Sequence, residues 1–206
     1  MYFLTHSKTT GKDVEKFLGY FPNFENQFIS KISSIMRAGN VDVSCFLLDR
    51  AIKNDGYGIT EYFKLAYTAK KVADLKDMKK INCPKKAFGL GNLTPIHCAC
   101  MNPNSEILKH ILELNPEYQV IDSEMRKLSH YAACCKSAEP LKYLASQNVD
   151  TRDHDNMKTT PLMYAAKAGN AETVRFLLQD TRSTVTAKDR LGYSAIHYSA
   201  ENAHTE

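Results

Sequence analysis

No apolar run in this chain of 206 residues approaches the roughly 18 residues that a membrane-spanning helix requires, so no span is expected. The opening residues, Met1-Tyr2-Phe3-Leu4-Thr5-His6, lack a basic stretch followed by an apolar core, and no secretory signal is expected. Cysteine is sparse. Six thiols (Cys45, Cys83, Cys98, Cys100, Cys134, Cys135) are too few for a disulfide scaffold, and without export they read as reduced cysteines of a cytoplasmic chain. The sequence also lacks H-E-x-x-H, G-x-S-x-G and G-x-x-x-x-G-K-S/T, which excludes the commonest zinc-protease, serine-hydrolase and phosphate-loop signatures. Gly89-Leu90-Gly91 opens like a dinucleotide loop, but Thr94 stands at the third glycine position, so a hairpin is the better reading. Asn92-Leu93-Thr94 matches the glycosylation triplet, which has no consequence without export. A non-enzymatic chain is expected, with no cofactor, no metal ion and no small-molecule substrate.

With 43% apolar and 24% charged residues, the composition is that of a folded chain and excludes collagen-like, low-complexity and wholly disordered classes. The charge is uneven. Residues 1–103 hold 15 lysines and arginines against 9 acids, a net +6, whereas residues 104–206 hold 12 against 14, a net −2. Most of the excess comes from Lys70, Lys71, Lys76, Lys79, Lys80, Lys85 and Lys86, faced only by Asp74 and Asp77. The bland expectation is a solvated helix face running into a lysine-rich loop. The alternative is a docking patch for an acidic polymer: a tubulin tail or other cytoskeletal surface, nucleic acid, or anionic lipid.

The chain repeats itself. Thr94-Pro95-Ile96-His97-Cys98-Ala99 is echoed by Lys127-Leu128-Ser129-His130-Tyr131-Ala132, by Thr160-Pro161-Leu162-Met163-Tyr164-Ala165, and by Ser194-Ala195-Ile196-His197-Tyr198-Ser199. The successive offsets are 33, 33 and 34 residues. Thr94 and Thr160 suit a helix N-cap, where a hydroxyl accepts an orphan backbone N–H, and Pro95 and Pro161 follow at the first helical position. Gly169 and Asn170 then suit a tight helix-to-helix turn. Val174, Leu177 and Leu178 form an apolar stripe at i, i+3, i+4, matched by Leu108, Ile111, Leu112 and by Leu141, Leu144, Ala145.

The period and the T-P-L-H-x-A pattern resemble the ankyrin repeat family, whose unit is a β-turn and two antiparallel helices stacked into a solenoid. The resemblance implies an all-α fold. It extends upstream, because Gly39 to Leu48 overlays Gly169 to Leu178 with Gly, Asn, the acid and Phe-Leu-Leu retained. Ile32, Ile35 and Met36 would then belong to a first helix starting near Ser30. A second weak unit follows Asp55-Gly56-Tyr57-Gly58-Ile59-Thr60, with its second helix around Lys71–Lys80 carrying the basic face. The expected organisation is a non-repeat segment at 1–25, where Val14, Phe17, Leu18 and Phe21 suit a short capping helix. Two degenerate units at 26–88 and the clear repeats at 89–206, three full and one partial, complete it. The partial last unit suggests the N-terminal portion of a longer protein.

His97, Cys98 and Cys100, with His130, Cys134 and Cys135 one repeat later, invite a metal reading. The spacings H-C-x-C and C-C spread these ligands around a helix rather than converging them into a tetrahedron. The resemblance instead implies structural histidines bonded to the repeat's own turn and neighbouring backbone. Cys134 and Cys135 would be redox-sensitive only if exposed. Tyr131, Tyr164 and Tyr198 share one position in successive first helices and are expected to pack along the solenoid rather than stack on nucleic-acid bases.

The resemblance further implies partner binding through hairpin tips and the concave ends of the first helices. On this sequence the tip positions include Leu90, Leu93, Glu124, Arg126, Asn156, Met157, Arg190, Leu191 and Tyr193, and the helix-end positions include Met101, Asn102, Cys134 and Lys167. Leu90, Leu93, Met101, Met157 and Leu191 are the expected exposed apolar anchors for an unidentified protein partner. Besides a scaffold of this kind, the sequence leaves open a regulatory or targeting portion of a larger enzyme or channel.

Overall fold

The computed structural model describes residues 2–5, 8–54, 60–75, 90–114, 116, 118–179 and 185–201. Within them the chain is helical. In order the helices are α1 (Tyr2–Thr5), α2 (Gly11–Tyr20), α3 (Glu25–Ile29), α4 (Ile32–Arg37), α5 (Val41–Lys53) and α6 (Glu61–Thr68). Then come α7 (Pro95–Cys100), α8 (Ser105–Leu114), α9 (Leu128–Ala133), α10 (Glu139–Ser146), α11 (Pro161–Ala168), α12 (Ala171–Gln179) and α13 (Ala195–Glu201). An isolated antiparallel bridge pairs Ile121 with Lys127.

Helix starts follow the local chemistry of the repeat. Thr94 Oγ1 accepts the His97 N–H at 3.4 Å, and the Thr94 N–H donates to His97 Nδ1 at 3.2 Å. The histidine thus takes the role that glutamate or glutamine plays in an ordinary capping box. Lys127 N–H to His130 Nδ1 at 3.0 Å and Ser194 N–H to His197 Nδ1 at 3.2 Å repeat the arrangement. In the third copy Met163 replaces histidine, and Thr160 N–H lies 3.4 Å from its Sδ.

The first helices stack side by side, α6 on α7, α7 on α9, α9 on α11 and α11 on α13, while α8, α10 and α12 back them. Ala99, Ala132, Ala133 and Ala165 are fully buried between them, and only a methyl group there permits so close an approach. Behind, α8 buries Ile107, Leu108, Ile111 and Leu112. Each such side chain contributes on the order of 1.5–3 kcal/mol. The stripe thins toward α12, where Leu177 is buried, Val174 half-buried and Leu178 exposed.

Neighbouring units are stapled by asparagine. Asn102 Nδ2 donates to the carbonyls of Ala66 at 3.1 Å and Ala69 at 2.9 Å, at the end of α6. Asn170 Nδ2 donates to the Cys135 carbonyl, and Asn40 Nδ2 to the Thr9 carbonyl at 3.0 Å. Each asparagine Oδ1 also accepts a local backbone N–H, from Asn104, Thr173 and Val43 respectively. Carbonyls at the ends of α6 and α9 are thereby satisfied by the next unit.

Upstream, α2 buries Val14 and Leu18, and Phe17 joins a ring cluster with Phe3, Phe21, Phe24 and Phe28. The paired α4 and α5 bury Ile32, Ile35, Met36, Leu47 and Leu48. Lys64 joins α6 to α5 through Asp49 at 2.6 Å. The helix expected around Lys71–Lys80 is, where described, a single tight turn over Val72–Leu75. Asp74 Oδ2 there accepts the N–H groups of Lys70 and Lys71 at 3.2 and 3.0 Å. Lys76, Lys79, Lys80, Lys85 and Lys86 lie outside the described residues.

Candidate functional site: the hairpin tips and the first-helix face

Three hairpins are built on one device. Asp122 Oδ1 accepts the N–H groups of Glu124 and Arg126 at 2.8 and 2.9 Å, closing the turn. Asp155 does the same for Met157 and Thr159, and Asp189 for Leu191 and Tyr193, all at 2.8–2.9 Å. The other carboxylate oxygen takes the hydroxyl of a tyrosine nine residues on. Tyr131 donates to Asp122 at 2.6 Å, Tyr164 to Asp155 at 2.9 Å and Tyr198 to Asp189 at 2.5 Å. Each first helix is therefore tied to its own hairpin by a charge-assisted bond. Burial opposes ionisation of Asp122, but the Arg126 charge and the Tyr131 hydroxyl hold its carboxyl below the usual carboxylate range.

The tips are strung together by backbone bonds. Ser123 N–H donates to the Gly91 carbonyl at 2.8 Å, Asn156 to Glu124 at 3.0 Å and Arg190 to Met157 at 2.9 Å. Left-handed residues stand in every tip: Gly91 and Asn92 at φ of 68° and 59°, Met125 and Lys158 at 61° and 60°, and Gly192 at 82°. Only glycine adopts that region without steric cost. On this frame the apolar side chains facing water are Met125 at 51% exposure, Met157 at 38%, Leu191 at 68% and Tyr193 at 42%. Ile196 on α13 is 74% exposed.

The face of the first helices is an alternating pile of rings. His97 packs on Tyr131 with centroids 4.6 Å apart, His130 meets Tyr164 edge-on at 5.7 Å, and Tyr193 stacks on His197 at 5.8 Å. Because Nδ1 accepts the capping N–H, the neutral imidazole carries its proton on Nε2, which in His130 faces the Thr159 carbonyl at 3.2 Å. Burial pushes the His97 and His130 imidazoles down to about 4. They are frame residues. Among the described residues no three His, Cys, Asp or Glu side chains converge as a metal site. Cys134 is half-buried with its Sγ 3.4 Å from the His130 carbonyl, and Cys135 is buried. Burial raises these thiols to about 12 and about 11, which opposes thiolate chemistry and the redox sensitivity considered from sequence.

Sequence profiles of the ankyrin repeat family match residues 91–120 as one repeat and residues 129–206 as three copies, together just over half of the chain. The chain belongs to the ankyrin repeat family. It is 28% identical over 61% of its length to the poly(ADP-ribose) polymerase tankyrase of Caenorhabditis elegans, covering 6% of that protein. It is 39% identical over 41% of its length to the tyrosine-protein kinase Shark of Drosophila melanogaster, covering 9% of it. It is also 26% identical over 55% of its length to human transient receptor potential cation channel subfamily A member 1, covering 10%. The chain thus spans about a tenth or less of the length of these curated relatives.

Within the ankyrin frame several expected surface residues are not on the surface. Leu90, Leu93 and Met101 are buried at 0–5% exposure, because their side chains turn into the stack. Asn102 is buried as the staple to α6. Arg126 is buried too, its Nε 2.6 Å from Asp122 and its Nη1 bonded to Glu124, which occupies that exposed carboxylate. Six expected positions are exposed: Glu124, Asn156, Met157, Arg190, Leu191 and Tyr193. Lys167 is exposed as well, with its ammonium 5.3 Å from the centre of the Tyr198 ring. Met125 was not anticipated. Its position three residues after the hairpin aspartate, where Gly192 stands in the last tip, was the available signal.

The first-helix face is also not bare. Arg37, the last residue of α4, places its guanidinium carbon 5.6 Å from the centre of the Tyr131 ring and 5.9 Å from that of Tyr164. A side-chain carbon at Gly39 would lie 3.8 Å from Lys136 Cε, so the α4–α5 turn reaches across to the end of α9. The N-terminal helices therefore do not simply prolong the stack; their turn lies over its middle.

Proposed function

We propose that this chain is a non-enzymatic binding module whose protein partner docks on the row of hairpin tips. The observation that carries the reading is the run of Met125, Met157, Leu191 and Tyr193, exposed apolar side chains on tips held in register by backbone bonds. Scattered exposed apolar residues are ordinary, but apolar side chains repeated on successive bonded tips, with the polar Asn156 and Arg190 exposed among them, have the composition of an interface core and its polar margin. Membership of a family built from interaction modules supports the same reading, as do free thiols at the five described cysteines, which suit a reducing, cytoplasmic setting.

The test uses the whole chain as bait, with captured proteins identified by mass spectrometry. Met157→Ala combined with Leu191→Ala is expected to lose a partner that the parent chain retains, while the melting temperature stays within a degree or two of the parent, because neither side chain is in the core. Capture indifferent to both substitutions would remove this surface.

A second reading is favoured by the relatives. The matched stretch is a tenth or less of a polymerase, a kinase and a cation channel, which supports a targeting or regulatory portion of a larger protein. In that case the same tips would address the larger protein to its partner or to another of its own segments. Sequencing the transcript that encodes this chain separates the two readings.

A further inference from the structure

The guanidinium of Arg37 lies near two tyrosine rings on the first-helix face, although nearly a hundred residues separate it from the first of them in sequence. Both rings are prepared for a cation. The Tyr131 hydroxyl donates to the Asp122 carboxylate and the Tyr164 hydroxyl to that of Asp155, which draws the phenol oxygens toward negative charge and leaves each ring richer in electrons. Arg126 also stands 5.8 Å from the Tyr131 ring, but its charge is met by Asp122 and Glu124. Arg37 is differently held, with hydrogen bonds to the hydroxyls of Ser33 and Ser34 on its own helix, at 3.3 and 3.2 Å. Its contact joins one side chain of the N-terminal segment to the Tyr131 ring, which is fully buried beneath it and also packed by His97, and to the half-buried Tyr164 ring.

We infer that the Tyr131–Tyr164 surface is a guanidinium-recognition site, occupied in cis by Arg37 and available to an arginine side chain of a protein partner when the α4–α5 turn lifts. This rests on reading the chain as a partner-binding module, and adds the chemistry that the partner presents. A planar guanidinium stacks on aromatic faces better than a compact ammonium does, so the site discriminates arginine from lysine. Gly39 at φ 76° ends α4 and gives the turn a hinge; toward α9 its backbone meets the flexible end of Lys136, while the Asn40 bonds to the Thr9 and Leu4 carbonyls lie within the N-terminal segment itself.

Cys134 stands two residues before Lys136, the residue that the Gly39 turn meets, and the Arg37 charge acts on its thiol, so it reports whether the turn is down. The test measures maleimide labelling at Cys134, resolved from the other cysteines by peptide mapping, in the full chain and its Arg37→Ala variant. Loss of the cation alone raises the thiol further and slows labelling, so acceleration reads exposure. The expected result is labelling about tenfold faster in the variant. Millimolar methylguanidinium is expected to restore protection by filling the vacated place, whereas methylammonium is not. In parallel, a fluorescent synthetic peptide copying Ile32–Asn40 is expected to bind the variant at least about tenfold more tightly than the parent, and to lose that binding when its arginine is glutamine. Unchanged labelling, equal rescue by the two cations, or peptide binding indifferent to its arginine would each overturn the inference. If Arg37→Ala melts far below the parent, Arg37→Lys keeps the charge and stem. It is then expected to label faster than the parent and to be protected by methylguanidinium, and failure of either overturns the site. None of these substitutions touches Met157 or Leu191, so loss of the guanidinium site leaves the hairpin-tip reading standing.

Discussion

Lowering the pH should unfold this chain from within its first-helix face before its surface carboxylates titrate. The perturbation acts on His97 and His130, both buried neutral and both accepting a capping N–H on Nδ1. Burial pushes each imidazole down to about 4, whereas an unfolded histidine titrates near 6.5. The folded state then binds fewer protons than the unfolded state between these two values, so stability falls as pH falls through that window. Full protonation would cost roughly 3 kcal/mol per imidazole. Between about pH 7.5 and about 5.5 the loss is about 1 kcal/mol for each, or 2–3 kcal/mol for the pair, a large share of the 5–15 kcal/mol typical of a domain. Urea unfolding followed by far-ultraviolet circular dichroism across that range measures it directly. Replacing both histidines with glutamine keeps an acceptor for the capping N–H and removes the titration, so the pH slope should flatten even if the plateau drops. A parent chain equally stable at both ends of the window, or a double variant with the parental slope, would refute the reasoning.

Three further outcomes follow from single contacts. Tyr131→Phe removes a buried hydroxyl bonded to a carboxylate and should cost about 1–3 kcal/mol in urea unfolding, with Asp122 left short of one donor. Asn102→Ala strips two carbonyls of α6 and the Asn104 N–H of their partner; a loss of roughly 2–3 kcal/mol is expected, and a change under half of that would show that water takes over the staple. Lys158→Gly places glycine at a left-handed position with an exposed side chain, and should raise the thermal midpoint by an amount equivalent to up to about 1 kcal/mol.

The repeat frame was legible because its chemistry is local. Thr94 with Pro95, the 33-residue spacing and the buried alanines each depend on a few neighbouring residues, and they predict helix pairs wherever they recur. The hairpin lock was present too, as an aspartate followed nine residues later by tyrosine at 122/131, 155/164 and 189/198, although the tyrosines alone read as packing. Exposure was not legible. Leu93 and Leu191 both sit on hairpins, yet one is fully buried and the other 68% exposed, because they stand at different places in the turn: Leu93 aligns with the buried Arg126 and Thr159, Leu191 with the exposed Glu124 and Met157.

By itself, then, the sequence determined the class of fold, the period, the caps that start its helices and the residues that turn its hairpins, since these arise within a span of ten residues or so. Tertiary structure alone decided which tips face water and what lies on the first-helix face. Arg37 carries no local mark that distinguishes it from any other arginine at a helix end. Its meeting with Tyr131 and Tyr164 exists only because the N-terminal helices turn back over the stack, a placement set by packing between segments far apart in the chain.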